Sequence, residues 1–235
     1  RSLAAAGAEG ADPGGRQPTA GVEAVAEGGR LGITLDVSHL GAAATDHLLE
    51  LETRPVIASH SSAYAVRPHH RNLTDERLRG IAATGGVVGI NVLGTFIDRD
   101  RYTVPRVIDH IEHVASLVGV EHVGLGPDFF KEVCEEIYGP GDRMTYDGGD
   151  AVTYVPGLEG PAGLPLITEE LLHRGWPDDD IRQVLGGGFE TVFARELGMP
   201  GPARYPEVPA GEPGRAHRFA HHTARALDGL TRTAT

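Results

Sequence analysis

The chain has 235 residues, a length that suits one domain; its 40% hydrophobic content supports a core, and 33 glycines with 16 prolines imply much loop. Acidic residues outnumber basic ones, 33 to 21, and the formal charge of −12 argues against nucleic acid or an anionic membrane surface as a partner. The single cysteine, Cys134, excludes an internal disulfide, and no apolar run reaches the length of a membrane span. In chain order, residues 1–20 are Ala/Gly/Pro-rich with almost no large apolar side chain and are expected to be flexible. The first thirty residues lack the basic-then-apolar pattern of a signal peptide, and a cytoplasmic location is the expectation.

From residue 21 to 197 the pattern is globular. Four short runs rich in Val, Ile and Leu each end in a polar group: LGITLDVSH in Asp36 and His39, PVIASHS in His60, GVVGIN in Asn91 and HVGLGPD in Asp128. Each suits a buried parallel strand, and segments of helical character follow at 42–52, 74–84, 104–118, 166–174 and 178–185. In the third of these, Val107, Ile111, Val114 and Leu117/Val118 recur on one face. Alternation of this kind predicts an α/β fold of the TIM barrel type, in which the carboxyl ends of the strands gather the active site. The stretch between Phe129 and Pro165 reads as one long loop over that mouth, a lid or a mere excursion. The tail at 198–235 returns to Pro, Gly, Ala and Arg and is expected to be disordered; His217 and His221 within it are not expected to hold metal.

His39 and His60 occupy equivalent places in consecutive βα units, and neutral imidazole is a good zinc ligand. The alternative for either alone is a hydrogen-bonded strand-end residue. Asp128 reads as a group that holds an ammonium or moves a proton, or else as a helix N-cap. Arg71 could pair bidentately with a substrate carboxylate, or make a surface ion pair with Asp75 or Glu76. Asn72 follows it on the same side, and Asn91 is read as an amide that satisfies a turn, with a site-lining amide as the alternative. Cys134 sits in KEVCEEIY with no His or second Cys beside it and reads as a bystander.

DVSH at 36–39, PVIASHSSAYAV at 55–66, RN at 71–72, GGVVGIN at 85–91 and GLGPDF at 124–129 together resemble the renal (membrane) dipeptidase family of zinc peptidases, from about residue 21 to 197. The resemblance implies a metal-dependent hydrolase barrel with two zinc ions that activate water to split the peptide bond of dipeptides. It implies His39 and His60 as ligands of one zinc, Arg71 with Asn72 at the substrate's terminal carboxylate, and Asp128 as the catalytic acid/base at its amino end. The expected partner is a small dipeptide, with homo-oligomerisation left open.

The departures are equally specific. The family's His-x-Asp pair for the other zinc and its bridging Glu have no counterpart here: the 38 residues before His39 contain no histidine. The implied architecture is the C-terminal half of a (β/α)8 barrel, about four βα units, with ligands for one zinc. GGGFETVF stands where the family usually shows an Asn and an Arg, and Asp128-Phe129-Phe130 replaces a frequent Asp-Phe-Asp-Gly run. Two alternatives stay open: another metal-dependent amidohydrolase acting on N-acyl amino acids or cyclic amides, and a non-catalytic remnant that binds through its open sheet edge.

Overall fold

The computed structural model describes residues 19–52, 54–139 and 152–198. Its elements alternate: α1 (Thr19–Leu31), β1 (Leu35–Asp36), α2 (Ala42–Leu51), β2 (Val56–Ile57), α3 (Asp75–Ala83), β3 (Val88–Ile90), α4 (Gly94–Ile97), α5 (Val104–Val118), β4 (Val123–Leu125) and α6 (Lys131–Tyr138), followed by α7 (Pro165–His173), α8 (Asp178–Arg182) and α9 (Gly188–Gly198). All four expected strands are present. β1 pairs with β2 and β3 with β4, both parallel, and a parallel bridge from Ala58 to Val88 joins the pairs in the order β1-β2-β3-β4. The bridge is carried by Ala58 N–H to the Val87 carbonyl and Gly89 N–H to the Ala58 carbonyl, at 3.0 and 2.7 Å. Among the described residues the result is four parallel βα units, half of a TIM-type barrel.

β2, β3 and most of β4 are buried on both faces, which is why they read as continuous apolar runs, whereas β1 at the edge is half-buried at Leu35 and exposed at Asp36. Their core continues into α5, whose Val107, Ile108, Ile111 and Val114 are fully buried. Pro105 in its first turn and Gly119 beyond its end mark the limits expected at 104–118. Glycine is required where β3 and β4 converge on β2: a Cβ at Gly126 would stand 1.9 Å from the Ser59 carbonyl oxygen, and one at Gly89 2.3 Å from the same atom. Two adjacent strands therefore crowd the backbone immediately before His60.

Several helices depart from the sequence expectation, the short α4 among them. α1 begins inside the segment read as flexible at 1–20, whose first 18 residues lie outside the described ones, and it extends through a stretch in which no helix was expected. α6 occupies the start of the stretch read as one long loop; residues 140–151 of that stretch lie outside the described residues. Its Val133 and Ile137 are exposed, so no buried stripe announced the helix. The helix expected at 178–185 is broken by a wide turn at 183–187, where Gly186 is extended, and the chain resumes as α9, whose last residue is Gly198. The remaining tail, expected to be disordered, lies outside the described residues.

Candidate active site

The polar residues that end the strands come together. His39 Nε2 and His60 Nε2 lie 2.7 Å apart, with ring centroids at 4.8 Å. Behind them the first two strands are stitched beyond their ends by side chains. Asp36 Oδ1 accepts the N–H groups of Ser38 and Ser59, both at 2.9 Å, and Ser38 Oγ accepts the N–H of His60 at 2.9 Å. Ser59 Oγ donates to Asp36 Oδ2 and lies 2.7 Å from His60 Nδ1. Such bonds replace the ladder where the strands stop, and they fix the backbone that carries both imidazoles.

The site's electrostatics favour uncharged imidazole. Burial, then the Arg71 guanidinium and His60, lower His39 to about 4, against the opposing pull of Asp128 and Asp36. Burial is also the main cause that lowers His60, with the Asp128 carboxylate acting against it and Arg71 adding to it. Both rings are therefore neutral near pH 7, the form that can donate a lone pair to a cation. The same interactions put Asp128 and Arg71 within electrostatic reach of both histidines.

Asp128 is not a helix N-cap, since α6 starts three residues later with Phe130 before it. Asn91 Nδ2 donates to Asp128 Oδ2 at 3.4 Å while its Oδ1 accepts the Leu93 N–H at 2.7 Å. Asn91 thus satisfies the turn, as its sequence position suggests, and also orients the carboxylate. His39 and Asp128 have φ of 69° and 59°, the two non-glycine residues with positive φ among those described. Left-handed backbone at side chains that lack glycine's freedom is a mark of functional sites.

Arg71 is buried, with its guanidinium carbon 5.5 Å from the centre of the Phe96 ring. Asp75, one of the two acids the sequence offered Arg71, meets His113 Nε2 at 2.8 Å. Asn72 spends its amide hydrogens on the carbonyls of Arg67 and Phe96, at 2.9 and 2.8 Å, which leaves its Oδ1 for other contacts. The loop between β2 and α3 that holds His60 and Arg71 is pinned from α5 as well. Fully buried His110 accepts the Ala63 N–H at Nδ1, 3.0 Å, and donates from Nε2 to the Ile97 carbonyl, 2.9 Å; Arg106 donates to the Val66 carbonyl. His110, Asp36 and Ser59 were not singled out from the sequence as site residues. Only Asp36 gave a signal, as a polar residue ending an apolar run.

Tyr154 supplies one wall. It forms an antiparallel bridge with Leu93, stands edge-on to Phe130 at 6.2 Å and lies under the Lys131 ammonium, 5.9 Å from the ring centre. Burial foremost, then Cys134 and nearby acids including Asp128, raises its phenol to about 12. Cys134 is thus a neighbour of this wall. The long segment expected over the mouth does return to the site, through Tyr154.

As a metal centre the arrangement fits in part. Two neutral imidazoles that present Nε2 to one point suit one side of a zinc ion. Among the described residues no three His, Cys, Asp or Glu side chains gather to hold a metal, so the pair does not make a complete coordination shell.

Parallel βα units that bring two imidazoles, an arginine and a carboxylate together past the strand ends define an α/β-barrel architecture with its site at the usual face. The chain belongs to the membrane dipeptidase family (peptidase family M19), whose model matches residues 10–139. It is 36% identical to the dipeptidase verJ of Clonostachys rogersoniana over 166 residues, 71% of this chain and 38% of that protein. Among solved structures it is similar to the metallopeptidase dipeptidase AC, at 30% identity and a TM-score of 0.65, over 78% of this chain and 50% of the other. It is similar also to a metallopeptidase from Rhodobacter sphaeroides bound to a phosphinate mimic of the dipeptide L-Ala-D-Ala, at 30% identity and a TM-score of 0.64, over 77% of this chain and 47% of the other. The chain thus spans about two fifths of the length of the curated relatives it matches. No helix among the described residues is long and apolar enough to cross a membrane.

Proposed function

We propose that this chain provides the substrate-binding half of a zinc-dependent dipeptidase site, with His39 and His60 as the ligands of one zinc. The observation that carries the reading is the approach of two Nε2 atoms to 2.7 Å from neighbouring strand ends, each ring neutral near pH 7. Zinc bound there supplies Lewis-acid polarisation of the scissile carbonyl and lowers the pKa of water. Arg71, held rigid against Phe96, binds the terminal carboxylate of a short zwitterion. Asp128, oriented by Asn91, takes the amino end and passes a proton to the leaving amine. Asn72 acts from behind, because its amide clamps the turn that presents Arg71. Charged groups at both ends select a substrate one peptide bond long.

The test is zinc titration of the chelator-treated chain by calorimetry, with hydrolysis of a dipeptide panel measured in parallel. Zinc binding that disappears in His60→Ala is the expected result, and dipeptide turnover, where present, disappears with it. Equal zinc affinity in wild type and His60→Ala overturns the assignment. Cleavage of N-acyl amino acids as fast as of dipeptides would replace the dipeptide reading with a broader amidohydrolase one.

A further inference from the structure

We propose that Asp36 and Ser59 form a positioning relay that fixes the tautomer of His60, with the proton on Nδ1 and the lone pair on Nε2. The inference deepens the metal reading above, but its first readout needs no metal. Asp36 Oδ1 is occupied by the N–H groups of Ser38 and Ser59, both at 2.9 Å, and its Oδ2 faces Ser59 Oγ at 2.5 Å. A carboxylate only accepts, so the single hydroxyl hydrogen of Ser59 points at Asp36. Towards His60 Nδ1, 2.7 Å away, Ser59 Oγ can then only accept, and Nδ1 must be the protonated nitrogen. His60 Nε2 is left as an acceptor aimed at His39 Nε2. The relay thus sets the direction in which the ring can donate electrons, much as an outer carboxylate does for metal-bound histidines.

Asp36→Asn reverses the relay without disturbing the backbone. The two N–H groups at Oδ1 require an oxygen there, so the amide nitrogen must take the place of Oδ2. It then donates to Ser59 Oγ, the hydroxyl hydrogen swings to His60 Nδ1, and the imidazole proton moves to Nε2. Ser59→Ala removes the relay, and Ser59→Thr restores the hydroxyl.

The experiment is a long-range proton–nitrogen NMR correlation on the 15N-labelled, chelator-treated chain at about pH 8, where free imidazole is neutral. Loss of signals in a His60→Gln variant assigns the ring. Wild type and Ser59→Thr are expected to show protonated Nδ1, Asp36→Asn protonated Nε2, and Ser59→Ala a mixture. Zinc affinity, read by competition with a chromophoric chelator, is expected to fall about ten- to hundredfold in Asp36→Asn and Ser59→Ala, as for other losses of outer-shell partners, and little in Ser59→Thr. Protonated Nε2 in wild type, or protonated Nδ1 retained in both Asp36→Asn and Ser59→Ala, overturns the relay. Tautomers that switch as expected while zinc affinity stays constant establish the relay and remove His60 from the metal site instead.

Discussion

His110 gives the sharpest quantitative test of how α5 supports the site. It is fully buried and bonded at both nitrogens, so protonation at Nδ1 would break its bond from Ala63 and bury a charge. Burial, with the Arg106 charge adding to it and the Ile97 bond opposing, lowers the ring from 6.5 to about 4. The unfolded chain therefore binds the proton first: the stability contributed by the neutral ring is present above pH 6.5 and is lost as pH falls from there towards 4. Between pH 7.5 and pH 5 the loss is about 2 kcal/mol, or about 1 M in the urea midpoint for a chain of this size. His110→Phe removes the titration and leaves the Ala63 N–H and Ile97 carbonyl unpaired, at about 1–3 kcal/mol each. Urea unfolding at the two pH values should show the variant less stable at pH 7.5 but with a fall to pH 5 that is smaller by about 2 kcal/mol than that of wild type. Parallel declines in the two proteins would refute the buried neutral ring as the source.

Other consequences are open to direct measurement. Gly126→Ala places a methyl 1.9 Å from the Ser59 carbonyl oxygen and 2.9 Å from the His60 Cα, so thermal unfolding should report a loss of about 1–3 kcal/mol or more, with zinc uptake lowered too. Arg174 donates to Glu170, Asp109 and Glu112 and to the Pro105 carbonyl, joining α7 to α5; Arg174→Met should cost about 1–3 kcal/mol in urea, part of it screened by salt. Asn91→Leu should lower kcat for dipeptides by loosening Asp128, whereas Arg71→Ala should raise KM chiefly for substrates with a free carboxylate, a contrast that steady-state kinetics on amidated and free dipeptides resolves.

β2 and β3 were legible because burial on both faces leaves no alternation to misread: VI at 56–57 and VGI at 88–90 sit inside unbroken apolar runs. The convergence of His39, His60 and Asp128 was legible for a related reason, as the parallel architecture brings the ends of the apolar runs to one face. What escaped depends on contacts between distant segments. The Asp36–Ser59 bond needs the register of β1 against β2, and the grip of His110 on Ala63 spans 47 residues. α6 escaped because its apolar side chains face outward, and α1 because its glycines and alanines resemble the segment before it. Arg71 was ambiguous because its burial against Phe96, and the pairing of Asp75 with His113, arise from contacts between segments distant in the sequence.

The left-handed backbone at His39 and Asp128 sets selection for stability against selection for the site. Each conformation costs about 1–3 kcal/mol for a residue with a side chain, a cost that glycine largely escapes. Directed evolution for heat resistance, blind to activity, should therefore enrich glycine or asparagine at 39 and 128 and erase the imidazole and the carboxylate as the melting temperature rises. A library screened for both properties should keep His39 and Asp128 and gain its stability elsewhere, so the positions at which the two screens disagree would outline the site without a substrate in hand.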